Sequence, residues 1–326
     1  MAYPRLLGLH HVTAIATDPQ DSLDFYLDVL GLTLVKRTVN FDDPGTYHLY
    51  FGDAGATPGS ILTFFPWPGA HRGRVGNGQV AATSFAAPRG SCFFWHDRLL
   101  KRGIEVTRLG ERFGEQVLGF EDPDGLPLEI VETKALGPRS SQGPVPEPFA
   151  LAGFHSATLA EEGYERTAAM LQDVMGLRPL GSENRRFRYA LDDEESPASI
   201  VDVVCAPAGP TGQLGAGTVH HLAWRTASDA DQREWRNVLV RAGVNVSPVM
   251  DRRYFHSIYY REPGGILFEI ATDAPGFATD EPISRLGERL MLPPWLESSR
   301  RAIEATLPPL TMPGDVTHLR SSRGRF

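Results

Sequence analysis

Apolar and polar positions alternate along LHHVTAIAT (9–17), which predicts a strand, and Asp18 with Pro19 then supplies an N-cap and a first-turn proline for a helix. Leu23, Tyr26, Leu27 and Leu30 fall at i, i+3, i+4 and i+7 and form one apolar helical face. Gly31 stands where a left-handed helix end belongs, and strands are expected near 32–38, 46–52 and 60–66. The same plan recurs three times. The second unit runs from Gln79 to about Glu132, its helix carrying Cys92, Trp95 and Leu99 and closing at Gly103. A third unit opens at FHSATLA (154–160), and its LQDVMGLRPL (171–180) echoes LDVLGLTLV (27–35). The fourth extends from Gly217 to about Asp273, with a helix face of Trp235, Val238, Leu239 and Ala242.

Between the second and third units, KALGPRSSQGPVPEPF (134–149) is rich in Pro, Gly and Ser and predicts an interdomain connection. The expected architecture is therefore α+β: four βαβββ modules forming two domains, 1–133 and 151–275, joined by a linker at 134–150. An extension at 276–326 follows. Within it LGERLMLPPWLESSRRAIEATLPPL (286–310) predicts two short helices split by Pro293 and Pro294, and HLRSSRGRF a mobile tail.

With 326 residues the chain can bury two cores, and a net charge of −8 disfavours nucleic acid or anionic lipid as partners. A small molecule is the better expectation. Cys92 and Cys205 lie in apolar runs with no CxxC spacing, so they are expected as reduced core residues of a cytoplasmic protein. MAYPRLLGLHHV lacks the apolar stretch of a signal peptide, and no run approaches a membrane span. Oligomeric state stays open, a homo-oligomer included.

Candidate chemistry comes from the repeat. REPGGILFEIATD (261–273) restates EDPDGLPLEIVET (121–133), with Glu269 in place of Glu129 at an offset of 269 − 129 = 140. At that offset His221 of VHHLAWRT falls on Ala81, so one copy keeps a ligand that the other has lost. Histidines on opening strands and a glutamate on a closing strand can cap one face of an octahedral metal and leave the remaining positions for substrate and dioxygen. Fe(II) suits such a set, Mn(II) is a plausible substitute and Zn(II) is less favoured. Neighbouring residues of a strand point to opposite faces, so one histidine each of His10/His11 and His220/His221 is expected to ligate. A five-residue turn at Glu262–Ile266 would set Tyr259 opposite Glu269, where the first copy has Gly119 (259 − 140 = 119).

Taken together, LHHVTAIATDPQDSLDFYLDVLGL, REPGGILFEIATD and the later LPPWLE resemble the vicinal oxygen chelate superfamily, and over nearly the whole chain its hydroquinone ring-cleaving dioxygenases. The resemblance implies Fe(II) held by His11, His221 and Glu269. It also implies substrate-facing roles for His10, Thr13, His220, Arg252 and Tyr259. The expected activity is cleavage of a hydroquinone-type ring with insertion of both atoms of dioxygen. A catechol extradiol dioxygenase, a glyoxalase or epimerase, and a metal-free binding protein are the alternatives.

His155 competes with His11. It takes the place of His11 in the third unit, so His155, His221 and Glu269 would form a second complete set, and spacing does not choose between them. Only units one and four carry a doubled HH, and Phe154 stands where the third unit would need another histidine, which favours His11. Glu129, without a histidine, is expected as a polar remnant, and Arg252, beside Arg253, could equally be a solvated loop charge.

Overall fold

Each alternating segment became a strand because its apolar face could be covered by a helix or by a strand of a distant unit. The computed structural model describes residues 4–134, 143–191 and 198–312. Unit one comprises β1 (Leu9–Ala16), α1 (Pro19–Asp24), β2 (Thr33–Asn40), β3 (Asp43–Gly52) and β4 (Ile61–Pro66). Unit two comprises β5 (Gln79–Pro88), α2 (Cys92–Lys101), β6 (Val106–Arg112), β7 (Glu115–Glu121) and β8 (Pro127–Thr133). In unit three follow β9 (Phe154–Glu161), α3 (Glu165–Ala169), β10 (Arg178–Glu183), β11 (Arg186–Ala190) and β12 (Ile200–Cys205). Unit four holds β13 (Thr218–Thr226), α4 (Asp229–Arg241), β14 (Met250–Asp251), β15 (Phe255–Arg261) and β16 (Leu267–Pro275).

The strands form two 8-stranded sheets, ordered β14-β15-β16-β13-β1-β4-β3-β2 and β10-β11-β12-β9-β5-β8-β7-β6. Unit one thus joins unit four in the first sheet, and unit two joins unit three in the second, through the antiparallel pairs β1–β13 and β5–β9. Each sheet draws on both halves of the chain, so the division at the linker marks the repeat in sequence and not the boundary between sheets. Both sheets curl. In the first, Arg252 beside β14 reaches Asp42 in the turn after β2; in the second, the Phe113 amide after β6 donates to Glu183 at the end of β10.

Helix α1 is capped by the Asp18 carboxylate, which accepts from the Gln20 and Asp21 amides, and it continues as a π-turn over Phe25–Val29. The extra residue in that turn rotates the apolar face, so Phe25 and Val29 are buried and Leu27 is only half-buried, unlike the expected α-helical stripe. A matching π-turn at Met170–Val174 extends α3. In α4 the buried face is Gln232, Trp235, Val238 and Leu239, while Ala242 is the exposed C-cap. Truncating a buried Trp235 to Ala would cost about 3–5 kcal/mol.

Part of the expected linker lies outside the described residues; the rest is mostly exposed and packs through Val145 and Phe149. Val145 is buried against Gly31, and Phe149 stacks on Phe94 at 4.3 Å. The extension differs from expectation too. Residues 286–292 run beside β2, with Leu290 bridged to Arg37, and among the described residues that follow, α5 (Arg300–Thr306) is preceded by a single 3-10 turn at Glu297–Ser299. Prolines 293 and 294 lack amide hydrogens and disfavour a helix before them, and the edge of β2 offers main-chain partners instead. The HLRSSRGRF tail lies outside the described residues. Both cysteines are free and half-buried rather than core residues. No helix among the described residues is long and apolar enough to cross a membrane.

Candidate metal centre

Three central strands of the first sheet carry the ligand candidates: His11 on β1, His221 on β13 and Glu269 on β16. Their donor atoms lie within 4.8 Å of one another, a grouping that includes neither His155 nor Glu129. His11 Nε2 and His221 Nε2 are 3.2 Å apart, and Glu269 Oε2 lies 3.4 Å from the first and 3.0 Å from the second. All three residues are buried. Glu269 Oε1 accepts from Ser257, whereas Oε2, aimed at the two rings, has no hydrogen-bond partner. An orphaned carboxylate oxygen without solvent costs free energy unless a cation meets it, and two imidazole nitrogens converge on the same point. The donor set therefore fits a divalent metal bound on one face.

Strand bulges explain the doubled histidines. The β1–β13 register skips His10 and His220, and at such a bulge adjacent side chains no longer oppose each other cleanly. His10 Nδ1 consequently reaches His11 Nδ1 at 2.9 Å, and His220 Nδ1 reaches His221 Nδ1 at 2.8 Å. If Nε2 of His11 and His221 ligate, their Nδ1–H groups donate to His10 and His220, which then carry their own hydrogens on Nε2. Burial and the neighbouring ring keep both of these partners neutral, pushing His220 down to about 3 and His10 well below the ordinary histidine range. For Glu269, burial alone would raise the carboxyl, but the His11 and His221 rings outweigh it and hold it well below the usual range.

Beside the three ligand candidates opens a cavity of about 350 Å³, lined in part by Asn40, Phe41 and Asp42. Aromatic and apolar walls come from Phe65, Trp67, Phe255 and Leu267. Tyr259 lies opposite Glu269 in the β15–β16 register, with the five-residue turn expected from the sequence. Its hydroxyl accepts from Arg252 Nε at 3.1 Å, and burial followed by the Glu269 charge raises its pKa, so it stays protonated. Arg252 is no loose surface charge: its side chain is 19% exposed and it also pairs with Asp42 at 3.0 Å. His220 lines the cavity. His10 and Thr13 do not; His10 backs His11, and Thr13 bonds Thr63 at 2.9 Å.

That threonine begins a chain the sequence reasoning missed. Thr63 Oγ1 meets His48 Nε2 at 2.8 Å, and His48 Nδ1 meets the Tyr50 hydroxyl at 2.9 Å. His48 and Tyr50 both line the cavity. Their period-two spacing in TYHLYF was a legible sign of a shared face, but β3 gave no sign of which sheet that face would line.

Sheet register corrects two alignments. His155 is skipped as a bulge between Phe154 and Ser156, so it corresponds to His10, and Ser156 to His11. It lies in the second sheet, bonded to Ser156 Oγ at 2.9 Å and Glu115 Oε1 at 3.0 Å. Likewise the skipped Ala81 corresponds to His220, which places His221 on Ala82 (221 − 82 = 139). A constant offset missed this because β5 and β13 differ from β8 and β16 by one residue of spacing. Either alanine leaves the second sheet without that ligand.

The model of the Glyoxalase/Bleomycin resistance protein/Dioxygenase superfamily matches residues 8–130 and 153–270. The chain belongs to this superfamily. It is 50% identical to "Putative ring-cleaving dioxygenase MhqO" of Bacillus subtilis (strain 168) over 306 residues, covering 94% of this chain and 97% of that protein. It is 36% identical to the chlorohydroquinone/hydroquinone 1,2-dioxygenase of Sphingobium indicum, covering 93% and 96% of the two chains. The crystal structure of a "putative dioxygenase" from Bacillus subtilis subsp. subtilis str. 168 superposes with a TM-score of 0.90 at 49% identity, covering 94% of this chain and 98% of that one. The two matched spans are the two halves of the sequence repeat, and each half contributes strands to both curled sheets.

Proposed function

We propose that this superfamily member is an Fe(II)-dependent dioxygenase that opens the ring of a hydroquinone-type substrate. One observation carries the proposal: a buried two-histidine, one-carboxylate set whose unpartnered Oε2 points to a common centre at the inner end of an aromatic-walled cavity. The relatives named for ring cleavage, among them the Sphingobium indicum enzyme, supply the substrate class.

His11, His221 and Glu269 would hold the ion, which when bound supplies Lewis acidity toward a phenolic oxygen and electrons toward dioxygen. Everything else falls to the chain's own side chains. Phe65, Trp67, Phe255 and Leu267 hold a flat ring and exclude water, which strengthens each polar contact inside. The His220 Nε2 hydrogen has no protein partner among the described residues and is available to an oxygen atom in the cavity. Tyr259 keeps its proton, and because Arg252 donates to its oxygen, the phenol O–H is free to donate to negative charge developing on substrate or dioxygen. His10 fixes the His11 ring from behind.

Metal content after anaerobic purification, followed by oxygen uptake with hydroquinone and catechol in parallel, tests this function. Near one equivalent of iron and uptake with hydroquinone are expected. Uptake with catechol alone would move the enzyme to the catechol-cleaving class, and none with either would remove the dioxygenase assignment.

A further inference from the structure

Exposure rises steadily from the floor of the cavity to its rim. The Glu269, His11 and His221 side chains are 0%, 3% and 6% exposed, Arg252 is 19% and Asp42 is 65%. Arg252 and Asp42 therefore stand at the mouth. They also belong to opposite edges of the first sheet, Arg252 beside β14 and Asp42 in the turn after β2. Their 3.0 Å ion pair spans the opening that the curled sheet leaves.

Each partner is anchored on its own side. The Asp42 amide donates to Asn40 Oδ1 at 3.0 Å, and neighbouring Phe41 packs edge-on against Trp295 of the C-terminal extension with ring centres 5.7 Å apart. On the other side, the Arg252 guanidinium lies over the Tyr259 ring, 5.4 Å from its centre, and bonds the hydroxyl through Nε. Arg252 thus has two oxygen partners, one inside the cavity and one at the rim. Its long side chain has many rotamers, and without the rim partner the bond and ring contact to Tyr259 and a 3.8 Å contact of Nη2 with Met250 Sδ remain to hold it.

We propose that Asp42 is a positioning residue: its pair with Arg252 ties the sheet edges together over the cavity mouth and keeps Arg252 Nε on the Tyr259 hydroxyl. The inference rests on the proposed function only in taking the cavity as the substrate site. An exposed pair is weak and screened by salt, so the mouth opens often enough to admit an uncharged ring while Arg252 returns to Tyr259 after entry.

Trp67 in the cavity wall reports on the mouth. Trp95, Trp224 and Trp235 are fully buried, so a Trp295→Phe background, which keeps a ring against Phe41, leaves Trp67 as the accessible indole. In that background Asp42→Asn should raise the acrylamide quenching constant by about two- to fivefold, the range that losing an exposed pair allows. Asp42→Glu should restore the parent value. High salt should raise quenching in the parent and leave Asp42→Asn unchanged. In oxygen uptake with hydroquinone, Asp42→Asn should lower kcat more than it raises KM, and the loss should vanish in an Arg252→Ala background. Equal quenching in all variants, or an undiminished effect of Asp42→Asn once Arg252 is gone, would overturn the proposal. A parent that consumes no oxygen would defeat the proposed function, and the quenching comparison would still decide the role of Asp42.

Discussion

Glu269 in the first sheet and Glu129 in the second occupy the same register position and meet different surroundings. Glu269 faces two imidazoles, whereas Glu129 accepts from Arg112 Nη1 and Nη2 at 2.9 and 2.7 Å and from Ser84 at 2.7 Å. Arg112 corresponds to Arg252 (252 − 140 = 112), and the residue after each, Phe113 and Arg253, has a positive φ. With no histidine at Ala82 and a glycine at 119, the arginine turns inward and its guanidinium neutralises the carboxylate. The flanking strands follow suit. Where the first sheet has Thr13, Thr63, His48 and Tyr50, the second has Thr158, Asp202, Arg186 and Arg188, joined by bonds of 2.8 to 3.1 Å. One set of backbone positions thus supports either a cavity beside a candidate metal centre or a buried ionic network. The choice depends on what can compensate the glutamate.

Removing a ligand should break the comparison most sharply. His11→Ala, His221→Ala and Glu269→Ala are each expected to lose iron and all turnover, and to lose the rise in melting temperature that added metal gives the parent. Metal-dependent stabilisation surviving in any of the three would displace that residue from the centre.

Next in size is the ionic counterpart. Arg112→Ala leaves Glu129 buried without its partner and should cost about 3–5 kcal/mol in denaturant unfolding, with iron binding retained. Loss of iron without loss of stability would mean that the Arg112–Glu129 pair serves the first sheet's site rather than the stability of its own sheet.

Within the first sheet, Tyr259→Phe should keep iron and fold while lowering oxygen uptake by roughly ten- to a thousandfold, the range for losing a donor or acid–base group. Turnover within about twofold of the parent would reduce Tyr259 to packing.

Acid should act on both sheets of the metal-free protein, in the second through two paired carboxylates. Despite burial, Arg112 holds Glu129 down from 4.5 to about 2, and His155 with Arg188 holds Glu115 down to about 2. Both folded values lie below the unfolded ones, so the stability they contribute is present above the unfolded pKa and is lost as pH falls toward the folded value. Unfolding of metal-free protein between about pH 5 and 2 should show this loss, and Glu129→Gln should flatten the profile there. The smallest effect is expected at His155: His155→Ala should leave iron bound, since that ring pairs with Glu115 in the other sheet.

Much of this molecule was legible in the chain. Alternation, helix caps and the repeat located four units, and the turn length before Glu269 set Tyr259 opposite it, because hairpin register is a local property. The π-turn at Phe25–Val29 was not legible, since an i to i+5 bond leaves no period in the sequence. Nor was the counterpart of His155: a bulge adds one residue to one strand, and only the partner strand shows which residue is skipped.

The sequence by itself determined the types of donor available, two histidines and a glutamate on strands, because side-chain chemistry and strand alternation are written residue by residue. Tertiary structure alone decided that unit one pairs with unit four, which brings His11 across 210 residues (221 − 11 = 210) to His221 and leaves His155 with Glu115. It also decided that His48, Tyr50 and Asp42 belong to the same cavity. Pairing of distant strands depends on which apolar faces and sheet edges can be covered together, a property of the whole chain that no local window contains.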